Sequence, residues 1–337
     1  MLETILFWLT LVGILYYVIT SLLERLRVKN LTEKPVLITG CDTGFGHDLA
    51  LKCLQEGMPV LAGCLTQQGC DGLILIAKNR QLNVNRLHTF LLDVRSDESV
   101  KNARKCVEEY IKSYNGLYGL VNNAGIGGNV SFDDWLLVQD YKDVLDVNTL
   151  GVIRVTHAFK DLIKKTKGRI VTVASSSARV ALPSFGPYTV SKFAVASYMD
   201  VIRVELGFFG VSVSTLEPGF FKTPLTCAKR NTDMMERLWN RATPETREEY
   251  GEKFFNAAKS VTQRILVDQC IEQTEQVVDA YFHALTSYFP RPRYQVGKDC
   301  VYGYAPFSFL PSRWQDWTFK LARYLANLPL PKSVSDK

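Results

Sequence analysis

A doubly wound α/β fold with one parallel sheet is predicted for this 337-residue chain. Three observations carry the prediction. Short apolar, β-branched runs recur at Pro35–Thr39, Pro59–Leu65, Leu87–Leu92, Leu117–Val121, Arg169–Ala174 and Val211–Leu216. Longer helix-like stretches lie between them, for example at 47–56, 97–114, 141–165 and 188–208. The first run ends directly in a glycine-rich loop, Thr39-Gly40-Cys41-Asp42-Thr43-Gly44-Phe45-Gly46, that opens a helix. Strands spaced by helices form right-handed βαβ units, which require a parallel sheet. No repeat or low-complexity linker interrupts the series, so 31–300 reads as one domain.

Residues 1–30 are different. Ile5–Leu23 is 19 residues long and carries no charge. At ~1.5 Å per residue it crosses most of a bilayer core of ~30 Å. A signal peptide would begin with positive charge and end in small residues. Here the early charge is Glu3 and the far end is Ser21-Leu22-Leu23-Glu24. A buried core helix would show a polar face, and this stretch has none. An uncleaved transmembrane helix is therefore expected. Arg25, Arg27 and Lys29 follow it, which places the rest of the chain on the cytosolic side. The expected location is the endoplasmic reticulum membrane, with the catalytic domain facing the cytosol.

Composition narrows the remaining classes. The chain is 47% hydrophobic and 22% charged, with a net charge of +6, which is ordinary for a folded protein. No basic block is interleaved with aromatics in mid-sequence, so no nucleic-acid partner is expected. None of the eight cysteines forms a C-x-x-C pair, and Cys64 and Cys70 have no histidine at ligand spacing. No metal is expected; free, mostly buried thiols are. The four histidines are scattered. Residues 301–337 form an aromatic C-terminal extension in which Tyr302, Tyr304, Phe307, Phe309, Trp314, Trp317, Phe319 and Tyr324 alternate with Arg313, Lys320 and Arg323. Two readings of it stand open: a second contact with the bilayer surface, or a helix packed over the substrate cleft.

The glycine loop has a physical job. Its glycines allow a tight turn, let backbone approach a pyrophosphate, and start the helix close to the sheet. The helix N-terminus then meets the phosphate charge. A dinucleotide site usually carries an acid at the end of the second strand, for the ribose. That strand instead ends at Cys64-Leu65-Thr66, and no Arg or Lys occurs between Lys52 and Lys78. Asp42, inside the loop, would repel a 2′-phosphate. NAD is therefore expected over NADP.

Tyr188 and Lys192 are four residues apart at the start of a helix and share one face. A free tyrosine, with a pKa near 10, is a poor base at neutral pH, and a nearby ammonium lowers that value. The same lysine can hydrogen-bond a nicotinamide ribose. Ser175 lies 13 residues before Tyr188, at a strand end, where its hydroxyl can hold a substrate oxygen. Asn148 can hold a water that links Lys192 to solvent.

With Asp93 in LLDV, Asn122-Asn123-Ala124-Gly125, Asn148 in DVNTLG, and Pro218-Gly219, these residues make an ordered set over about 34–225. In that order and spacing the chain resembles the classical short-chain dehydrogenases/reductases. The resemblance implies a Rossmann-like domain in which Asp93 and Val94 contact the adenine. It implies that Asn122–Gly125, including Ala124, supports the central strand beneath the cofactor, and that Pro218, Gly219 and Thr223 sit at the nicotinamide. Among Ser175-Ser176-Ser177, Ser175 keeps the 13-residue gap to Tyr188. Thr172 and Ala174 stand where Asn and Ser are commoner in the family. TGCDTGFG, VLAGCLT and EPGFFKTPL resemble the retinol and 17-beta-hydroxysteroid dehydrogenase branch, whose members act on lipophilic alcohols, usually with NAD.

The expected function is thus NAD-dependent interconversion of a lipophilic alcohol and its ketone or aldehyde. Phe220, Phe221, Leu225, Trp239, Phe254 and Phe255 are the candidate substrate contacts, and a homodimer is the common state of the family. Two alternatives are an NADPH-dependent carbonyl reductase and a catalytically silent membrane scaffold or lipid-binding protein. The silent protein would be expected to show a broken Asn-Ser-Tyr-Lys set, which is intact here.

Overall fold

Three apolar residues and a threonine, Val36–Thr39, form strand β1, all buried, with β2 (Val60–Cys64) on one side and β4 (Gly119–Asn122) on the other. The computed structural model describes residues 1–268 and 270–335. β3 (Leu87–Leu91), β5 (Arg169–Val173), β6 (Ser212–Pro218) and β7 (Arg293–Val296) complete a seven-stranded sheet of order β3-β2-β1-β4-β5-β6-β7, parallel throughout. The order reverses between β1 and β4, which opens a crevice beyond their C-terminal ends.

Helices cover both faces. α2 (Gly44–Gln55), α3 (Gln67–Asn79) and α11 (Glu275–Thr286) bury Leu49, Leu73, Val277, Tyr281 and Leu285 against one face. α4 (Asp97–Tyr110), α6 (Val152–Thr166) and α7 (Gly186–Gly207) bury Val100, Val107, Phe159, Ile163 and Met199 against the other. Thr66 and Ser96 cap α3 and α4 by accepting from the backbone N–H three residues on, which satisfies donors the helix cannot.

The six expected strands are present with ends shifted by a residue or two. β7 is an addition: its four residues Arg-Tyr-Gln-Val bury only two side chains, too short a pattern to read as a strand. The expected helix 141–165 is not continuous. α5 (Val138–Leu145) passes into a π-turn, Asp146–Gly151, before α6 begins. Such turns recur at functional sites.

α1 (Leu2–Glu24) is long and apolar enough to cross a membrane, and no residue of its Thr4–Glu24 segment is fully buried against the rest of the chain. Its end is fastened. The Glu24 carbonyl accepts from Ser287 Oγ at 3.0 Å and lies 3.0 Å from His283 Nε2, and Arg291 donates twice to the Glu24 carboxylate, at 2.8 and 2.6 Å. Between β6 and α11 lie α8 (Ala228–Arg241), α9 (Pro244–Tyr250) and α10 (Glu252–Asp268). After β7 come α12 (Ala305–Phe307) and α13 (Ser312–Leu325). Of the extension 301–337, the last two residues lie outside the described residues.

Candidate active site

A cavity of about 600 Å³ lies at the C-terminal ends of the strands, where the strand order reverses. One end is lined by Gly40, Asp42, Thr43, Gly44, Phe45 and Thr66, from the β1–α2 loop and the end of β2. Its middle holds Ser175, Tyr188 and Lys192, and Phe220, Leu225 and Leu266 line it as well.

The loop is built for close approach. Gly40 has φ +70°, and a Cβ there would stand 2.8 Å from the Ala124 Cα. Gly44, at φ +67° and the first residue of α2, has nothing within 4 Å of where a Cβ would stand. Bare backbone N–H groups at a helix N-terminus therefore face the cavity, which suits a pyrophosphate. Asn123, not Asn122, fixes the loop: its Nδ2 donates to the Thr39 and Gly40 carbonyls at 3.0 Å each. Asn122 lies beneath, buried, and donates to Thr156 and Thr172. It supports the strand and does not line the cavity, and Gly46 is likewise turned toward Asn123.

Asp42 crosses to the end of β2. Its carboxylate accepts from Leu65 N at 2.8 Å, Thr66 N at 3.0 Å and Thr66 Oγ1 at 2.8 Å. The loop thus delivers an acid to the place where the second strand lacks one. Asp93 and Val94 line the same end, and so does Arg95, which sequence spacing from β2 did not bring out. Arg95 is bidentate on Asp93, and that pairing holds the Asp93 carboxyl below the usual carboxylate range.

Tyr188 and Lys192 sit in the first two turns of α7, with Pro187 near its start, where a missing N–H costs nothing. Of the three serines, Ser175 is the one whose hydroxyl acts on the Tyr188 phenol. Its Oγ also accepts from Ser177 N at 3.1 Å. Burial pushes the Tyr188 phenol above its ordinary value, and the nearby Ser175 hydroxyl acts the other way. Burial also pulls Lys192 down to about 8. The lowering of Tyr188 expected from Lys192 is not found. The Lys192 Nζ donates to the Val173 carbonyl at 3.0 Å, 5.5 Å from the phenol ring centroid, and its own charge is destabilised by the same burial.

Asn148 occupies the π-turn and is buried. Its Oδ1 accepts from Ile126 N at 2.9 Å, and its Nδ2 donates to the Ile126 carbonyl at 2.9 Å and to Ser191 Oγ at 3.0 Å. Both amide hydrogens are committed, so this nitrogen does not hold the expected water. The side chain clamps the loop after β4 onto the first turns of α7.

Pro218, Gly219 and Thr223 line the cavity. Asp299 secures their loop by accepting from Phe220 N at 2.7 Å. Of the expected substrate contacts, Phe220, Phe221 and Leu225 line the cavity. Trp239, Phe254 and Phe255 do not. They pack with Trp135 and Met235 into a separate buried cluster, Trp239 stacked on Phe255 at 4.8 Å. Their aromatic character signalled burial and not recognition. Phe185, Asn231 and Leu266 line the cavity instead, brought in by the α7 entrance and by helices with no motif of their own.

A strand–glycine loop–helix unit beside a buried Ser–Tyr–Lys group in one crevice defines a dinucleotide-dependent oxidoreductase. A family model for the short chain dehydrogenases matches residues 34–234. Rat retinol dehydrogenase 7 is 42% identical over 311 residues, 92% of this chain and 95% of the relative. Bovine 17-beta-hydroxysteroid dehydrogenase type 6 is 40% identical over 313 residues, 92% and 96% of the two chains. A short-chain dehydrogenase/reductase from Burkholderia phymatum, solved with NAD, shares the fold with a TM-score of 0.66 at 22% identity, covering 87% of this chain and 97% of the other. The chain belongs to the short-chain dehydrogenase family, in the branch that holds the retinol and hydroxysteroid dehydrogenases. It is an oxidoreductase acting on CH–OH groups.

Proposed function

We propose that the chain interconverts a lipophilic alcohol, of the steroid or retinoid class, and its carbonyl at the cytosolic face of the endoplasmic reticulum membrane, with NAD and with Tyr188 as acid/base. The observation that carries this reading is that Ser175, Tyr188 and Lys192 line one cavity together with Phe220, Phe221 and Leu225. Relatives named for retinol and hydroxysteroids supply the substrate class. The exposed apolar helix α1, followed by Arg25, Arg27 and Lys29, supplies the location. A homodimer belongs to the same proposal, by family likeness.

The residues that would hold the dinucleotide are the backbone of Gly40–Phe45 at the phosphates, Asp42 at the adenosine ribose, Asp93 and Val94 at the adenine, and Pro218, Gly219 and Thr223 at the nicotinamide. The dinucleotide supplies hydride acceptance or donation. The chain supplies position and proton control. Ser175 Oγ holds the substrate oxygen beside the Tyr188 hydroxyl. In reduction Tyr188 donates its proton to that oxygen, and burial, by raising its pKa, keeps the phenol protonated for the task. In oxidation Tyr188 must first give up its own proton, and as the phenolate it then takes the alcohol proton. Lys192, held near the phenol by Val173, carries a charge only below about pH 8. Asn148 is a positioning residue that keeps the Ile126 loop and Ser191 beside it.

NAD is favoured by Asp42, whose negative charge stands at the end of β2. One observation favours NADPH: Arg95 lines the same end. Its charge is already met by Asp93, so NAD remains the reading. Turnover by the membrane fraction of retinol, an androgen diol and estradiol, each with NAD and NADP, tests all of this. Absence of turnover with every pair would sink the proposal, and a lower Michaelis constant for NADP would reverse the cofactor.

A further inference from the structure

Surface helices usually turn their apolar stripe inward. α13 does the reverse. Trp314, Trp317, Leu321, Tyr324 and Leu325 follow one another at helical spacing on one stripe, and each is more than half exposed. The opposite stripe is half-buried against the chain segments that flank the helix. Gln315 donates to the Leu310 carbonyl, Phe319 packs edge-on against Phe307 at 5.6 Å, and Arg323 donates to the Leu328 carbonyl. Arg313 and Lys320 flank the outward stripe, and Phe309, 81% exposed, continues it at the N-terminal end.

We propose that α13 lies in the headgroup region of the bilayer that α1 enters, with Trp314, Trp317, Leu321, Tyr324 and Leu325 inserted among the upper acyl chains. Three arguments select lipid as the occupant. Indole and phenol rings are apolar bodies with a polar tip, which is what the bilayer interface accommodates. Arg313 and Lys320 flank the stripe where their stems cover apolar surface and their charges reach phosphates. A second copy of the chain would bring the same cations to the same stripe. The third argument is that α1 tethers the chain to a membrane and makes the second contact intramolecular.

The placement bears on the cavity. No described residue of the extension lines it, so α13 does not cover the cleft. It lies across α10 from the cleft: Arg264 donates to the Ala326 carbonyl at the end of α13, and Leu266, on the other face of the same helix, lines the cavity. Tyr304 approaches Phe220 of the cavity at 6.1 Å. A lipid-seated α13 therefore holds the mouth near the bilayer, where greasy alcohols dissolve. This rests on the reading that α1 enters a membrane.

The test uses the full chain with Trp8→Phe, reconstituted into phosphatidylcholine vesicles with spin-labelled lipids. Trp135 and Trp239 are buried in their own cluster, so lipid can quench only Trp314 and Trp317. The expected result is strong quenching by headgroup-region labels and weak quenching by labels deep in the acyl chains. In the Trp8→Phe/Trp314→Phe/Trp317→Phe chain the quenchable emission is lost. Unquenched emission, whether from exposure to water or from cover by a second copy, overturns the inference, as does stronger quenching by the deep labels. Failure of the α1 reading looks different: the chain does not float with the vesicles at all.

Discussion

Asp42 accepts a hydrogen bond from the Thr66 hydroxyl at 2.8 Å, joining the glycine-rich β1–α2 loop to the end of β2. The contact moves a negative charge from the loop, where the sequence carries it, to the strand end, where a ribose acid belongs. Asp42→Asn removes the charge but keeps an acceptor for Leu65 and Thr66. The preference for NAD over NADP, as the ratio of kcat/KM values, is expected to fall about tenfold, ~1.4 kcal/mol. An unchanged ratio would assign cofactor choice to other residues.

Tyr188→Phe removes the proton donor and keeps the ring. Turnover is expected to fall by about 10²–10⁴-fold, the range for a lost general acid/base. Dinucleotide binding, followed by nucleotide fluorescence, is expected to survive. Near-normal turnover would remove Tyr188 from the chemistry.

Lys192 gives a pH-dependent stability signature. Its pKa is about 8 in the fold, below its ordinary value of 10.5, because burial penalises the ammonium. Below pH 8 both folded and unfolded chains are protonated there, and the penalty is complete. Between pH 8 and 10.5 only the unfolded chain binds the proton, so native stability rises with pH. The penalty is of the order of 3 kcal/mol, at ~1.36 kcal/mol per pH unit. Losing the bond to Val173 offsets ~1 kcal/mol of that on substitution. Lys192→Met is expected to be the more stable chain at pH 7, inactive, and to lose its advantage toward pH 10.5. Denaturant unfolding of both chains across this range decides it; an advantage that ignores pH contradicts the assignment.

Glu217, fully buried at the end of β6, binds both Arg179 and Arg293. Arg179 follows the Ser175 segment and Arg293 begins β7, so one carboxylate ties the catalytic loop to the sheet edge. Glu217→Gln leaves Arg179 without its counter-charge and Arg293 with Asp200 alone. A loss of about 3–5 kcal/mol is expected, the usual cost of breaking a buried pair from one side. A urea midpoint within error of the parent chain would show that Arg179 and Arg293 reach solvent instead.

The parallel sheet, the dinucleotide loop and the Tyr188/Lys192 spacing were legible in the sequence because each rests on local regularity. Apolar runs bounded by glycine make strands, and a four-residue interval makes a shared helix face. β7 was not legible, because its four residues become a strand only by pairing with Thr215–Pro218. Trp239, Phe254 and Phe255 misled, because an aromatic ring looks the same in a cavity wall and in a core.

What the sequence by itself determined was the order of the chemistry: a glycine loop, then Asn148, Ser175, Tyr188 and Lys192, behind an uncharged helix at Ile5–Leu23. Tertiary structure alone decided what each group meets. It carried Asp42 across to Thr66, committed the Asn148 amide to Ile126 and Ser191, and turned the apolar stripe of α13 outward. The reason is physical. Local patterns set backbone geometry over a few residues, whereas partners and burial depend on segments tens to hundreds of positions apart, which meet only when the sheet closes its order between β1 and β4.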